Sequence, residues 1–255
     1  MTPNGIFVAL FAVVGLAVGS FLNVVIWRVP RGESIVLPPS HCTSCGYRLR
    51  TVDNLPIASF LALRGRCHSC GSKISVRYPL VELSTGALFG LVAALFGRTF
   101  VAPQLALFSA SLVCLALIDI ETRKLPRKII YPSALVTFLL IVAYCIEMGS
   151  FHYLVSSIEG FGIDIGIFGL IFLLRPSSIG FGDVRLAGFI GLNLGVLGLN
   201  PTINFLYGAF GFGSIFGIGY ILLVSRSVKS SIPFGPFMAL SALTSMVIGN
   251  SFRIF

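Results

Sequence analysis

The chain has 255 residues, 56% of them hydrophobic and only 11% charged, with a net charge of +9. Soluble domains carry about a quarter charged residues, so a water-exposed surface of this size is excluded and lipid must cover most of it. Nucleic-acid binding is excluded as well, because Lys and Arg do not cluster with aromatics on one face but sit in short connections between apolar runs.

About 17–25 apolar residues cross a bilayer core as a helix. Eight runs approach that length, at residues 5–27, 79–97, 101–120, 129–148, 158–174, 184–199, 202–225 and 234–251. The first is too long for a signal-peptide core and runs into Arg28 and Arg31 without a small-residue cleavage site, so it reads as a retained span. Leu186 to Ser225 is uncharged and too long for one span; Asn200-Pro201 divides it, since proline cannot continue a helix interior. The sixth run is short, which leaves seven spans as the alternative to eight.

Sixteen of the 18 Lys and Arg fall in alternate connections, with Arg98 and Arg253 opposite. By the positive-inside rule those connections are cytoplasmic and both termini face outward. The expected architecture is an all-α, polytopic membrane helical bundle. Its divisions are a first transmembrane helix at 1–27, a cytoplasmic zinc-binding loop domain at 28–78 and a membrane domain at 79–255.

Within the loop, Cys42-x-x-Cys45 and Cys67-x-x-Cys70 are 21 residues apart, and each pair is followed by glycine (Gly46, Gly71). Two such knuckles complete a tetrahedral zinc site of four cysteines. The rival reading, two disulfides, is disfavoured by a reducing cytoplasm. Four thiolates leave no open coordination position, so the zinc is expected to be structural. Cys114 and Cys145 read as small buried apolar residues.

Of nine acidic residues, Glu82, Asp119, Glu121, Asp164 and Asp183 fall at or within spans, where an ionisable group defaults to function. Asp119 ends an apolar helix, and Leu125-Pro126 ends the basic loop after it. Asp183 closes Gly180-Phe181-Gly182-Asp183 immediately before another helix, where the glycines permit a tight turn and the aspartate can cap. Both lie at cytoplasmic span ends and can form an acid–base dyad, one deprotonating water and the other donating to a carbonyl oxygen. A capping role alone would equally explain Asp183. Asp119 at a helix C-terminus is expected to hold the proton and Asp183 at an N-terminus the charge.

The chain resembles the type IV prepilin peptidases, the leader peptidase/N-methyltransferase family of GxGD aspartyl proteases, over nearly its full length. The resemblance rests on GSFLNVVIWRVP at 19–30, the cysteine knuckles, DNLP at 53–56 and RGRCHSCG at 64–71. SVRYPLVEL at 75–83, the LP pair at 125–126, GFGDVRLAG at 180–188 and IPFGPFMAL at 232–240 complete it. The family's first aspartate lies seven residues before the LP proline, which selects Asp119 over Glu121; the second is Asp183.

The resemblance implies the GxGD protease fold and cleavage of a prepilin or pseudopilin, after a glycine, at the cytoplasmic face of the bacterial inner membrane. Methylation of the new N-terminus from S-adenosylmethionine follows. It places Gly180 and Gly182 in the active-site turn. Glu82, Ser20, Asn23 and Arg28 are the candidates for cofactor or substrate contact, with Ser20 and Asn23 equally readable as interhelical hydrogen-bonders. Arg127, Glu121, Arg185 and Thr43 depart from frequent family residues without removing a catalytic group. Two alternatives stand beside this reading. One is a peptidase without methyltransferase activity; the other is an ion-coupled transporter using Asp119, Asp164 and Asp183, which would need carboxylates near the bilayer midplane.

Overall fold

A computed structural model describes residues 5–176, 179–223 and 233–251; Arg226, Lys229, Ile232 and Arg253 lie outside the described residues. The described chain is all-helical, with two isolated β-bridges and no strand. The helices are α1 (Gly5–Arg28), α2 (Ala58–Ala62), α3 (Arg77–Phe96), α4 (Val101–Thr122), α5 (Arg127–Met148), α6 (His152–Leu174), α7 (Phe181–Gly195), α8 (Leu199–Leu223) and α9 (Gly235–Ser251). Each of the eight apolar runs is one of the long helices. Six of them, α1, α3, α4, α5, α6 and α8, are long and apolar enough to cross a membrane; α7 and α9 are shorter.

Proline and glycine set several ends. Pro79, Pro103, Pro201 and Pro236 all lie in the first turn of their helices, where a missing N–H breaks no intrahelical bond. Pro201 therefore sits just inside α8, and the break expected at Asn200-Pro201 falls upstream, at residues 196–198. Gly97 and Gly149 close α3 and α5. α6 starts at His152, six residues before the apolar run, because Tyr153, whose ring packs on Tyr144, and the buried Ser156 and Ser157 continue it.

The chain divides into two compact units, Met1–Arg98 and Thr99–Phe255. α3 thus belongs with α1 and the loop, rather than with residues 79–255 as the sequence reading grouped it. The cause is a close antiparallel approach of α1 and α3. A Cβ on Gly15 would lie 2.8 Å from Gly86 Cα, and one on Gly19 would lie 2.7 Å from Glu82 Cα. Asn23 Nδ2 extends the seam by donating to Tyr78 O at 3.1 Å.

The second unit is built on α4, whose Leu105, Phe108, Leu112, Leu115 and Ile118 are fully buried. α4 packs on α5, α7 and α9, and α6 packs along α7. Large apolar side chains such as Leu135, Leu139, Leu170, Leu173 and Ile215 point outward, while Gln104, Asn193, Asp164 and Thr202 are buried. Apolar residues outside and polar ones inside is the distribution a lipid solvent selects.

Candidate active site and metal-ligand cluster

Asp119 lies in the last turn of α4 and is buried. The helix closes on it. Arg123, in the left-handed conformation at φ 54°, donates its N–H to Asp119 O at 2.9 Å. The side chain turns to another helix, where Asp119 Oδ2 accepts the N–H of Gly235, the first residue of α9, at 2.9 Å. Asp119 is thus at the C-terminus of its own helix and at the N-terminus of a second. The partial charges of the two helix ends oppose each other at this carboxylate, an arrangement that sequence reasoning missed. Gly235 lies within the IPFGPFMAL stretch, and that stretch was the only signal for it.

Asp183 is the third residue of α7 and is half-buried. Its Oδ2 accepts the N–H of Gly180 at 3.0 Å while its own N–H donates to Gly180 O at 3.0 Å, a reciprocal cap. A Cβ on Gly182 would come within 3.2 Å of Leu125 Cβ, so the turn rests against the Leu-Pro pair that follows α4. That contact holds the turn next to the end of α4. Asp183 lies within electrostatic reach of Asp119. Each carboxylate therefore has one oxygen fixed by a backbone N–H.

In the first unit the two cysteine knuckles have the same backbone plan. Cys42 N–H donates to Tyr47 O and Gly46 N–H returns to Cys42 O; Cys67 with Ser72, and Gly71 with Cys67, repeat the pattern. Gly46 (φ 72°) and Gly71 (φ 69°) are left-handed, as the knuckle requires. Antiparallel bridges His41–Arg48 and Arg66–Lys73 close the two loops.

The Sγ atoms of Cys42, Cys45, Cys67 and Cys70 all lie within 4.8 Å of one another, with Cys42 and Cys70 at 3.9 Å. A tetrahedron of Zn–S bonds has edges of about 3.8 Å, so the four fit a metal ion. Those distances are far from the roughly 2.05 Å of a disulfide. The backbone N–H groups of Cys45 and Ser44 draw the Cys42 thiol down to about 6, leaving a thiolate ready to ligate. His41 and His68 are not in the cluster. His41 Nδ1 meets Pro39 O at 3.0 Å, and the His68 ring stacks on Tyr47.

Beside the knuckles is a cavity of about 640 Å³ lined by Ser20, Asn23, Arg28, Glu33, Asp53 and Glu82, together with Cys42 and Cys67. Sequence separation hid this meeting of α1, α3 and the loop. Glu82 is buried, and its Oε2 accepts the Ile57 N–H at 2.7 Å. Ile57 stands at φ 58°, which a β-branched residue rarely adopts. Arg28 is buried and donates to Ser34 O at 2.9 Å. Asn23 donates to Gly19 O and Tyr78 O, while its buried Oδ1 has no partner among the described residues. The interhelical reading of Asn23 holds for its amide nitrogen, and its oxygen is left for another partner.

Comparison with known proteins gives a consistent result. A family model described as the bacterial peptidase A24 N-terminal domain matches residues 13–96. One described as the type IV leader peptidase family matches residues 106–224. A Pseudomonas putida protein named prepilin leader peptidase/N-methyltransferase is 32% identical, covering 96% of this chain and 91% of its own length. Proteins of the same name from Myxococcus xanthus and Neisseria gonorrhoeae are 39% and 32% identical, over 87% and 92% of this chain and 66% and 88% of their own. No solved structure matches.

Proposed function

Since this chain belongs to the type IV leader peptidase family, we propose that Asp119 and Asp183 are the pair through which it cleaves prepilin leaders. The chain is an integral membrane enzyme that removes the leader and N-methylates the new N-terminus. The observation that carries the assignment is that two carboxylates from helices far apart in sequence each keep one oxygen on a backbone N–H, Gly235 for Asp119 and Gly180 for Asp183.

Asp183, half-buried at a helix N-terminus, carries the negative charge; at Asp119 the ends of α4 and α9 offset each other, and its deeper burial gives it the shared proton. The titration belongs to the pair. Asp183 takes a proton from water as the water oxygen bonds to the scissile carbonyl carbon, and Asp119 donates its proton to the carbonyl oxygen. Asp183 then protonates the leaving nitrogen as the C–N bond breaks, and the proton from the collapsing diol returns to Asp119. Gly182 lets the turn close against Leu125, and Gly180 brings its N–H to Asp183 Oδ2, so the two glycines position the base. The test is Asp119→Asn and Asp183→Asn, each assayed separately for prepilin cleavage in membranes; normal processing by either overturns the assignment.

The four cysteines hold a structural zinc ion that orders the loop. The 640 Å³ cavity is in the range of about 300–1,000 Å³ typical of ligand sites, and Asn23 Oδ1 offers an unmet acceptor, so its lining fits S-adenosylmethionine. That cofactor, when bound, supplies an electrophilic methyl group. Glu82 takes the proton that the pilin ammonium must lose, Ser20 and Asn23 orient the polar groups, and Arg28 faces a carboxylate. Mass spectrometry of the mature pilin N-terminus from wild type and Glu82→Ala reads cleavage and methylation together, and full methylation by Glu82→Ala would remove Glu82 from the site.

The gathering of Lys and Arg in alternate connections supports a cytoplasmic loop and cytoplasmic aspartates, and the family supports the bacterial inner membrane, with lipid around the helices. Reporter fusions at the α1–α3 loop and the α3–α4 connection test that orientation; a periplasmic signal from the loop reverses it.

A further inference from the structure

The connection at 28–78 carries eight Lys and Arg, yet its stretch 34–47 contains no Asp, Glu, Lys or Arg. That stretch opens with Ile35-Val36-Leu37-Pro38-Pro39, and its three aliphatic side chains are bare: Ile35 is 41% exposed, Val36 75% and Leu37 67%. Consecutive exposed aliphatic residues mark a surface made for an apolar partner. Neither the proposed cleavage nor the zinc cluster uses them.

The place of this tip narrows the choice of partner. After α1 the chain turns at Gly32, which is left-handed at φ 74°, and Glu33 N–H donates back to Arg28 O. Ile35, Val36 and Pro38 then line a cavity of about 350 Å³ together with Ala17, Phe21 and Val24 of α1. Those three residues precede Arg28 by about one to three helical turns. The tip therefore lies beside the apolar part of the span and not beyond its end. Arg31, stacked 3.6 Å over the Trp27 ring, supplies the aromatic and basic pair that belongs at the headgroup level. Phe21, on the cavity wall, is itself half exposed, so the tip continues the lipid-facing side of α1.

The backbone is prepared for lipid as well. Hydrocarbon offers no hydrogen-bond partner, so N–H groups placed in it must be satisfied within the protein. Pro38 and Pro39 have no N–H. Val36 and Leu37 both donate theirs to Ser34 Oγ at 3.2 Å, and Ser34 O accepts Arg28 Nη1 at 2.9 Å. In water such provision would be unnecessary. We infer that Ile35–Pro39 is a monotopic membrane anchor, seated in the acyl region of the leaflet where α1 ends. It would give the cysteine loop, which begins three residues later at Cys42, an attachment to the bilayer besides α1 and α3. The inference rests on α1 spanning the membrane and is independent of the methyl-transfer reading.

Trp27 is the only tryptophan, so a Trp27→Phe/Val36→Trp protein carries one fluorophore, at the tip. The full chain is reconstituted in phosphatidylcholine and phosphatidylglycerol vesicles, with and without bromine on the acyl chains. The expected result is loss of fluorescence in the brominated vesicles and no quenching by aqueous iodide. Trp27→Phe/Leu37→Trp repeats the measurement, so that the outcome does not depend on one variant folding. Emission quenched by iodide and untouched by brominated chains would overturn the anchor. A tip shielded from iodide only after prepilin is added would be a seat for the substrate, and would overturn it too.

Discussion

Asp119 Oδ2 accepts the backbone N–H of Gly235 across 116 residues of sequence, at 2.9 Å. A carboxylate that ends one helix thereby starts another. The bond fixes the side chain's rotation with an N–H that α9 could not use internally.

Gly235→Ala tests that bond. The added Cβ would lie 2.7 Å from Asp119 Oδ2 and 3.2 Å from its Cγ, so the carboxylate must move. A displacement of about 1 Å can cost on the order of 10²-fold in rate. The expected outcome is a loss of that order in prepilin cleavage by a protein that still folds, measured as kcat with purified prepilin alongside thermal unfolding. Wild-type cleavage would show that the Gly235 contact does not position the acid.

Glu82→Gln separates charge from architecture. The amide oxygen of glutamine can still accept the Ile57 N–H that Glu82 holds at 2.7 Å, so the loop keeps its anchor. Loss of a general base costs about 10²–10⁴-fold. Methylation should fall by at least the lower figure while cleavage stays within about twofold of wild type, both read from the mass of the mature pilin N-terminus.

Metal removal should act on the loop. Ligation needs thiolates, so affinity falls as pH falls and protons displace the ion. Chelation, or Cys42→Ser, is expected to unfold the knuckles and abolish methylation while cleavage persists. Proteolysis within residues 40–75, before and after readdition of zinc, checks it; a loop equally resistant without metal contradicts the structural role.

Gly19→Ala probes the seam between α1 and α3. Its Cβ would lie 2.7 Å from Glu82 Cα and 3.0 Å from Val81 O, both backbone atoms that cannot yield locally. Overpacking of this kind costs about 1–3 kcal/mol, which thermal unfolding in detergent would register as a lower melting temperature. An unchanged melting temperature would mean that the helices separate freely.

The sequence by itself determined what is local. Hydropathy marked every long helix, because a run of apolar side chains is a property of neighbours. Cys-x-x-Cys-Gly specified each knuckle, because two thiols and a left-handed glycine need only five residues. Asp119 and Asp183 stood out because charge is rare in such helices. Only the tertiary structure decided which distant atoms meet: Asp119 with Gly235, and Glu82 with Ile57. Those pairings depend on how helices cross, and the crossing is set by small residues whose role is invisible until their partners are in place. The same reason explains the grouping of α3 with α1. Apolar runs do not name their neighbours; Gly15, Gly19 and Gly86 choose them by letting two backbones come within contact.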